Sequence, residues 1–457
     1  MSKLDFKKEA EKYEKEALEE LKGLVSINSI YDESTSSKEN PFGIGVRKAL
    51  DYVGNLGERL GFKWDKCDHY CSELSFGEGD KIIDIYAHVD VVPVSPNWKS
   101  DPFTPTIIDN VMYARGSSDD KGPGIASLYG AKICLDNKLL DGVKLRVIFG
   151  GNEESGSLCL EHYFNKMHKG YPTYGFSPDA NYPLIYGEKG IYGYVAKYKL
   201  EDPRIPAFKF GEATNIVLDE TSLTLNDESI PSALENYLKE YPEIKGDYNN
   251  GVLHFKGQAV HGSAPWGGVN AGLHLLNFLG KVYNHNELCE LFNNYKVGDG
   301  KAFGGDFSSE YFSSTSYCAG IISYDGKEID IVINCRIPEN IKIEEVLKVV
   351  QEKTKPDSID YKGGSEGLLF DPKSEFIQTL LRVYQEESGD YESKPLTIGG
   401  GTYSRETKNT VAFGMEFPGV DTLMHQDGEF LRLDDFNKSI AIYAHAIAEL
   451  ACLARKK

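Results

Sequence analysis

A chain of 457 residues is about three times the rough ~150-residue domain prior, so two domains are the default expectation. Hydrophobic residues make up 40 %, aromatics 12 % and charged residues 26 %, which excludes disorder, collagen-like repeats and a small disulfide-held scaffold. Lys and Arg number 50 against 70 Asp and Glu, a net charge of −20, and so acidic a surface argues against nucleic acid and anionic membrane as partners.

The N-terminal stretch is charged throughout and has no apolar signal-peptide core, and no run of about 18 apolar residues follows anywhere. The cytoplasm is the expected address, and its reducing conditions suit the scattered cysteines as free thiols. Only Cys67 and Cys71 lie close, with His69 between them. No second pair completes a tetrahedral zinc site there.

In chain order, Leu4, Phe6, Ala10, Tyr13, Ala17, Leu18 and Leu21 recur at helical spacing and predict one helix ending near Ser26. A second helix is expected from about Arg47 to Leu60, stopped by Gly61. The run 81–93, closed by Pro93, and the run 143–151 read as buried strands. Helices are expected at Pro123–Leu140 and 157–169. Strands alternating with helices predict an α/β fold with a mainly parallel sheet. The texture changes after about Gly190. There 192–200 alternates as a strand with one wet face does, and helices are expected near 231–241, 270–283 and 342–354. That composition predicts an inserted α+β domain over 190–372, within a first domain of 1–189 and 373–457. A long amphipathic helix over 433–454 ends the chain.

Chemistry-bearing residues fall at predicted strand ends and turns. His88 and Asp90, two apart on a strand, face the same side above the sheet edge where α/β folds bind ligands. Asp119 and Asp120 sit in a Gly-flanked loop just before a helix, and their charge and spacing exclude a phosphate loop. Glu153 and Glu154 follow a strand directly; adjacent carboxylates repel unless they share a proton or a cation. Asp179 lies in one turn and His425 precedes another. Each alone is an ordinary cap or turn residue. Together His88, Asp119, Glu154, Asp179 and His425 supply the imidazoles and carboxylates that two divalent ions sharing a bridging carboxylate need.

HVDVVP, WKSDPFTPTIIDNVMYARGSSDDKGP, NEESGS, SPDANYPLIYGEKG, VHGSAPWGGVNA and GGGTYSR, in that order, resemble the M20 family of co-catalytic zinc metallopeptidases. Within it the likeness is to the PepV-type bacterial dipeptidases, which also cleave carnosine-like substrates. The resemblance implies that Asp119 bridges two metals, with His88 and Asp179 on one and Glu154 and His425 on the other. It implies Asp90 as the acid orienting His88, Glu153 as general base, and a cis peptide after Asp119. Two positions depart from the family pattern, Asn152 where Asp or Thr is usual and Ala87 where Gly is usual. Neither is a ligand.

In the inserted domain, the resemblance assigns His261 to the reacting carbonyl oxygen, with Asn215 beside it, and Arg336 to the substrate carboxylate. Gly399, Gly400, Gly401 and Thr402 would add backbone donors. The expected activity is a dipeptidase using two divalent ions, zinc first, with manganese or cobalt as alternatives in a His/carboxylate site. The alternatives are an N-acyl or N-succinyl amino acid deacylase on the same scaffold, a two-metal phosphoesterase, and a non-catalytic binding protein. The insert is longer than the single lid through which many relatives dimerise. Its expected form is a lid of doubled size that lets a monomer complete its own site.

Overall fold

The apolar runs IIDIYAH and KLRVIFG become adjacent parallel strands, Ile82–His88 and Lys144–Gly150. Both are buried along almost their whole length, as strands covered on both faces are, and this explains why neither alternates. Residues 4–457 are described in the computed structural model. The sheet around this pair runs Lys63–Asp65, Cys71–Phe76, Lys144–Gly150, Ile82–His88, Tyr174–Ser177, Thr410–Ala412 and Ile185–Glu188. Its central neighbours from Lys144–Gly150 to Thr410–Ala412 are parallel, and the flanking pairings are antiparallel. The fold is α/β with a mainly parallel sheet, as the sequence predicted.

Helices Lys121–Asp136 and Leu433–Ala454 pack on each other and on strand Ile82–His88. They approach closely because Gly130 has no side chain: a Cβ there would lie 2.8 Å from the Ala444 backbone nitrogen. Helix Ile44–Leu60 packs against Cys71–Phe76 and stops at Gly61, whose φ of 95° needs glycine.

Two helical expectations are corrected. The predicted first helix is two, Phe6–Glu11 and Glu14–Val25. A tight turn separates them, closed by the Tyr13 N–H on the Ala10 carbonyl, and the Tyr13 hydroxyl is held by Asp136 of a neighbouring helix. The predicted helix over 157–169 is only Leu158–Glu161, followed by a wide π-type turn, His162–Lys166. The widening accompanies two tertiary contacts: His162 stacks on Tyr70 at 3.9 Å, and the Tyr163 hydroxyl donates to buried Glu73. Packing overrides helical spacing here.

The chain divides into two units. One takes the chain up to Gly187, with Phe370–Leu396 and Thr402–Lys457; the other is Glu188–Leu369 with Thr397–Gly401. Thr397–Gly401, within the C-terminal stretch that the sequence gives to the first domain, thus clusters with the second unit. That unit has a five-stranded antiparallel sheet in the order Phe208–Phe210, Ser316–Tyr324, Glu328–Ile337, Gly190–Lys199, Ser358–Ser365. A three-stranded sheet and helices Ile230–Glu240 and Ala271–Tyr283 complete a separate apolar core around Leu276, Leu279, Ile322 and Ile331. Among the described residues no helix is long and apolar enough to cross a membrane.

Candidate metal centre

Three parallel strands end at one edge of the first unit's sheet, and each delivers a polar group there. His88 is the last residue of Ile82–His88. Glu153 and Glu154 follow Lys144–Gly150, and Asp179 follows Tyr174–Ser177. Asp119 comes to the same place from the loop before helix Lys121–Asp136. His425 comes from the turn before strand Phe430–Arg432, with a left-handed backbone at φ 62°. Such a backbone is uncommon outside glycine, though His tolerates it better than most residues.

Asp119 lies between the two imidazoles. Its Oδ1 is 3.0 Å from His88 Nε2 and its Oδ2 is 2.8 Å from His425 Nε2. Glu154 Oε1 lies 3.1 Å from the same His425 nitrogen, and Asp179 Oδ2 lies 3.7 Å from His88 Nε2. Donor atoms of His88, Asp119 and Glu154 fall within 4.8 Å of one another, as do those of His88, Glu153 and Asp179. The structure therefore brings together all five residues that the sequence offered as ligands, with Glu153 beside them. The Asp119–Asp120 peptide is cis, as the resemblance implied.

Asp90 holds more than the sequence suggested. Its backbone carbonyl lies 3.0 Å from His88 Nδ1, nearer than its carboxylate at 3.5 Å. The carboxylate accepts the backbone N–H groups of Glu153 at 3.0 Å and Glu154 at 3.1 Å. Asp90 thus orients the imidazole through its main chain and the glutamate turn through its side chain.

The electrostatics call for positive charge. Burial first, then the charge on Asp179, pushes the Glu153 pKa well above the carboxylate range. Burial and the Asp119 charge push Glu154 up to about 7. Burial opposes charging of His88, but its hydrogen bonds to Asp119 and Asp90 outweigh this and hold its pKa well up. Lys121 is near in sequence, but its Nζ turns away to the carbonyls of Leu24 and Ile27. With Nδ1 of His88 donating to the Asp90 carbonyl, Nε2 and Asp119 Oδ1 are two acceptors 3.0 Å apart. Such a pair needs a proton or a cation between its members. Imidazole nitrogens with carboxylate oxygens are the donors that divalent ions of the zinc, manganese and cobalt kind accept, so the residues present fit them.

Sequence reasoning missed Glu429. It is fully buried, and its carboxylate accepts from Arg115 Nη1 at 2.7 Å and from the backbone N–H groups of Gly116, Ser118 and Asp119. An acid four residues after a histidine in a turn carries no sequence signal of burial.

In the second unit, His261 and Asn215 are exposed neighbours: the Gly262 N–H donates to the Asn215 carbonyl at 2.7 Å, and His261 Nδ1 lies 2.8 Å from Ser263 Oγ. Arg336 is buried, its Nε donating to Asn334 and its Nη1 to the Gly399 carbonyl at 2.8 Å. Gly399 backs onto Ser263, to whose Cβ an added Cβ would come within 3.0 Å. Gly400 and Gly401 continue this loop in the second unit, whereas Thr402 belongs to the first, where its hydroxyl accepts the Ser404 N–H. The Cys67 neighbourhood has another character. Asp65, Cys67 and Glu73 offer close donor atoms, but Lys169 Nζ bonds both carboxylates, at 2.9 and 2.8 Å, and supplies the cation itself.

Comparison with known proteins agrees with this architecture. The family model described as Peptidase family M20/M25/M40 matches residues 85–449. A "Putative dipeptidase" of Staphylococcus haemolyticus is 36 % identical over 97 % of this chain and 99 % of its own. Among solved structures, human carnosine dipeptidase 1 superposes with a TM-score of 0.58 at 15 % identity, covering 98 % of each chain. The M20 family metallo-carboxypeptidase Sso-CP2 of Sulfolobus solfataricus gives a TM-score of 0.58 at 17 % identity, covering 96 % of this chain and 99 % of its own. With its strand-end cluster of imidazoles and carboxylates and a family match through most of its length, this chain belongs to peptidase family M20/M25/M40.

Proposed function

We propose that the protein is a metal-dependent dipeptidase. The observation that carries the reading is Asp119, whose two oxygens face different imidazoles, each imidazole with a further carboxylate beside it. His88 and Asp179 would hold one divalent ion, Glu154 and His425 the other, and Asp119 both. The chemistry such ions supply is acidification of water toward neutral pKa and polarisation of the scissile carbonyl. Glu153 takes the proton of the attacking water and later delivers it to the leaving amine. Asp90 keeps Glu153 and Glu154 aimed through their backbone N–H groups. His261, with Asn215, stabilises the carbonyl oxygen as it gains charge. Arg336 and the Gly399–Thr402 loop take the terminal carboxylate, a task suited to a guanidinium fork. The name of the staphylococcal relative supports the substrate class.

The test is a panel run on chelator-treated protein and on the same protein resupplied with zinc, manganese or cobalt. Dipeptides, including β-alanyl-histidine, are expected to be cleaved only after resupply, with N-acetylated dipeptides and a tripeptide refused. Preference for the blocked substrates would replace this reading with the deacylase.

A monomer is expected to suffice for catalysis. Mixing inactive Glu153→Ala with inactive His261→Ala should restore no activity. Substantial complementation would mean that sites are shared between copies.

A further inference from the structure

We propose that Glu429 is a positioning residue that holds Asp119 and His425 in register, and thereby sets the affinity of one metal position more strongly than that of the other. The inference rests on the two-ion reading above. Glu429 lies four residues after His425 and is clamped to the Asp119 loop by side chain and main chain alike. One carboxylate oxygen accepts from Arg115 Nη1 at 2.7 Å and from the Gly116 N–H at 3.1 Å. The other accepts from the Ser118 N–H at 2.9 Å, the Ser118 hydroxyl at 3.2 Å and the Asp119 N–H at 3.2 Å. Its carbonyl accepts the Ala114 N–H at 3.2 Å. The segment that presents His425 is therefore fastened to the one that presents Asp119, and the two side chains meet at 2.8 Å.

Every partner of this carboxylate is a donor, so only an anion with two acceptor oxygens satisfies both sides. Glutamine has nearly the same volume but must turn its NH2 toward one set of donors. With its oxygen kept by Arg115, the amide faces the N–H groups of Ser118 and Asp119 and pushes that loop off. His88 and Asp179 stand on strand ends that Glu429 does not touch through any of these bonds. Asp119 faces both imidazoles, so both ion positions feel the disturbance, but His425 faces only one of them, and the larger loss falls on the Glu154–His425 position.

Equilibrium dialysis of the full chain against zinc or manganese, with a melting curve to verify folding, tests the inference without reading activity. Wild-type protein is expected to bind two ions. Glu429→Gln should bind one ion about 10–100-fold more weakly, the usual size of effect for a group that orients ligands, and the other with a distinctly smaller loss through the shared Asp119. If Glu429→Gln does not fold, Glu429→Asp carries the same expectation, because it keeps the charge but is too short to serve both sides. Two ions bound with unchanged affinity, or both weakened equally, overturns the positioning role and leaves the dipeptidase reading standing. Wild-type protein that binds fewer than two ions overturns the two-ion reading, and this inference with it.

Discussion

Replacing Glu153 with alanine is expected to lower turnover by about 10²–10⁴-fold, the usual contribution of a positioned acid–base group, while bound metal stays at the wild-type level. Glu153 and Glu154 are adjacent, and Asp90 holds both backbones. Their side chains nevertheless have different company. Glu154 meets His425 at 3.1 Å, whereas Glu153 groups with His88 and Asp179. Burial pushes Glu153 well above the ordinary carboxylate range, and cations bound beside it would draw it back down, leaving a carboxylate free to accept the proton of the attacking water. Removing it should lower kcat with little change in KM, because the proton transfer is made only in the transition state. Glu154→Ala, by contrast, should lose metal and activity together. Loss of metal in parallel with activity in Glu153→Ala would make Glu153 a ligand instead, and retention of most activity would remove it from the chemistry.

Three of the five proposed ligands, His88, Glu154 and Asp179, were legible in sequence because strand ends concentrate chemistry: a run that stops at His88, Gly150 or Ser177 fixes the edge where the next polar residue lands. Helices whose ends carry local signals were legible too. Ile44–Leu60 ends on Gly61, and Ala271–Tyr283 opens on Asn270, which caps the Leu273 N–H. What failed was set by distant partners. Tyr13 reaches Asp136, 123 residues on, and Tyr163 reaches Glu73, 90 residues back. Neither helix-breaking contact has a local signature. Glu429 is the same case at the site, since its meaning lies in donors more than 300 residues upstream. Asp90 was read for its carboxylate, which lies 3.5 Å from His88 Nδ1, and the nearer carbonyl at 3.0 Å went unread because a main-chain group has no letter in the sequence.

Arg146→Met is expected to destabilise the fold by about 3–5 kcal/mol, the cost of leaving a buried charge without its partner. Asp84 and Arg146 face each other in register on the two central parallel strands. Asp84 is fully buried and Arg146 nearly so. The guanidinium donates from Nε to Asp84 at 2.7 Å and from Nη2 to the same carboxylate and to the Gly170 carbonyl. Burial raises the Asp84 pKa, and the Arg146 charge opposes that rise. Without the arginine the rise goes further, so the folded state holds a proton that the unfolded chain releases. A carboxyl whose folded pKa is raised carries no penalty below its ordinary value of 3.8 and a growing one as the pH climbs from there toward the raised value. The stability gap between Arg146→Met and wild type should therefore widen as pH increases. At neutral pH it should appear as a fall in Tm of roughly 6–15 °C. Adding Asp84→Leu removes the stranded charge, and the double variant should recover most of the loss, since apolar replacement of both partners is often neutral. Tyr86, which donates to Asp84, keeps Thr407 within 3.2 Å as a second partner. Thermal melts of the two variants at pH 5 and pH 8 decide the matter. A double variant no more stable than Arg146→Met would show that the pair itself, and not the stranded aspartate, stabilises the strand that ends at His88.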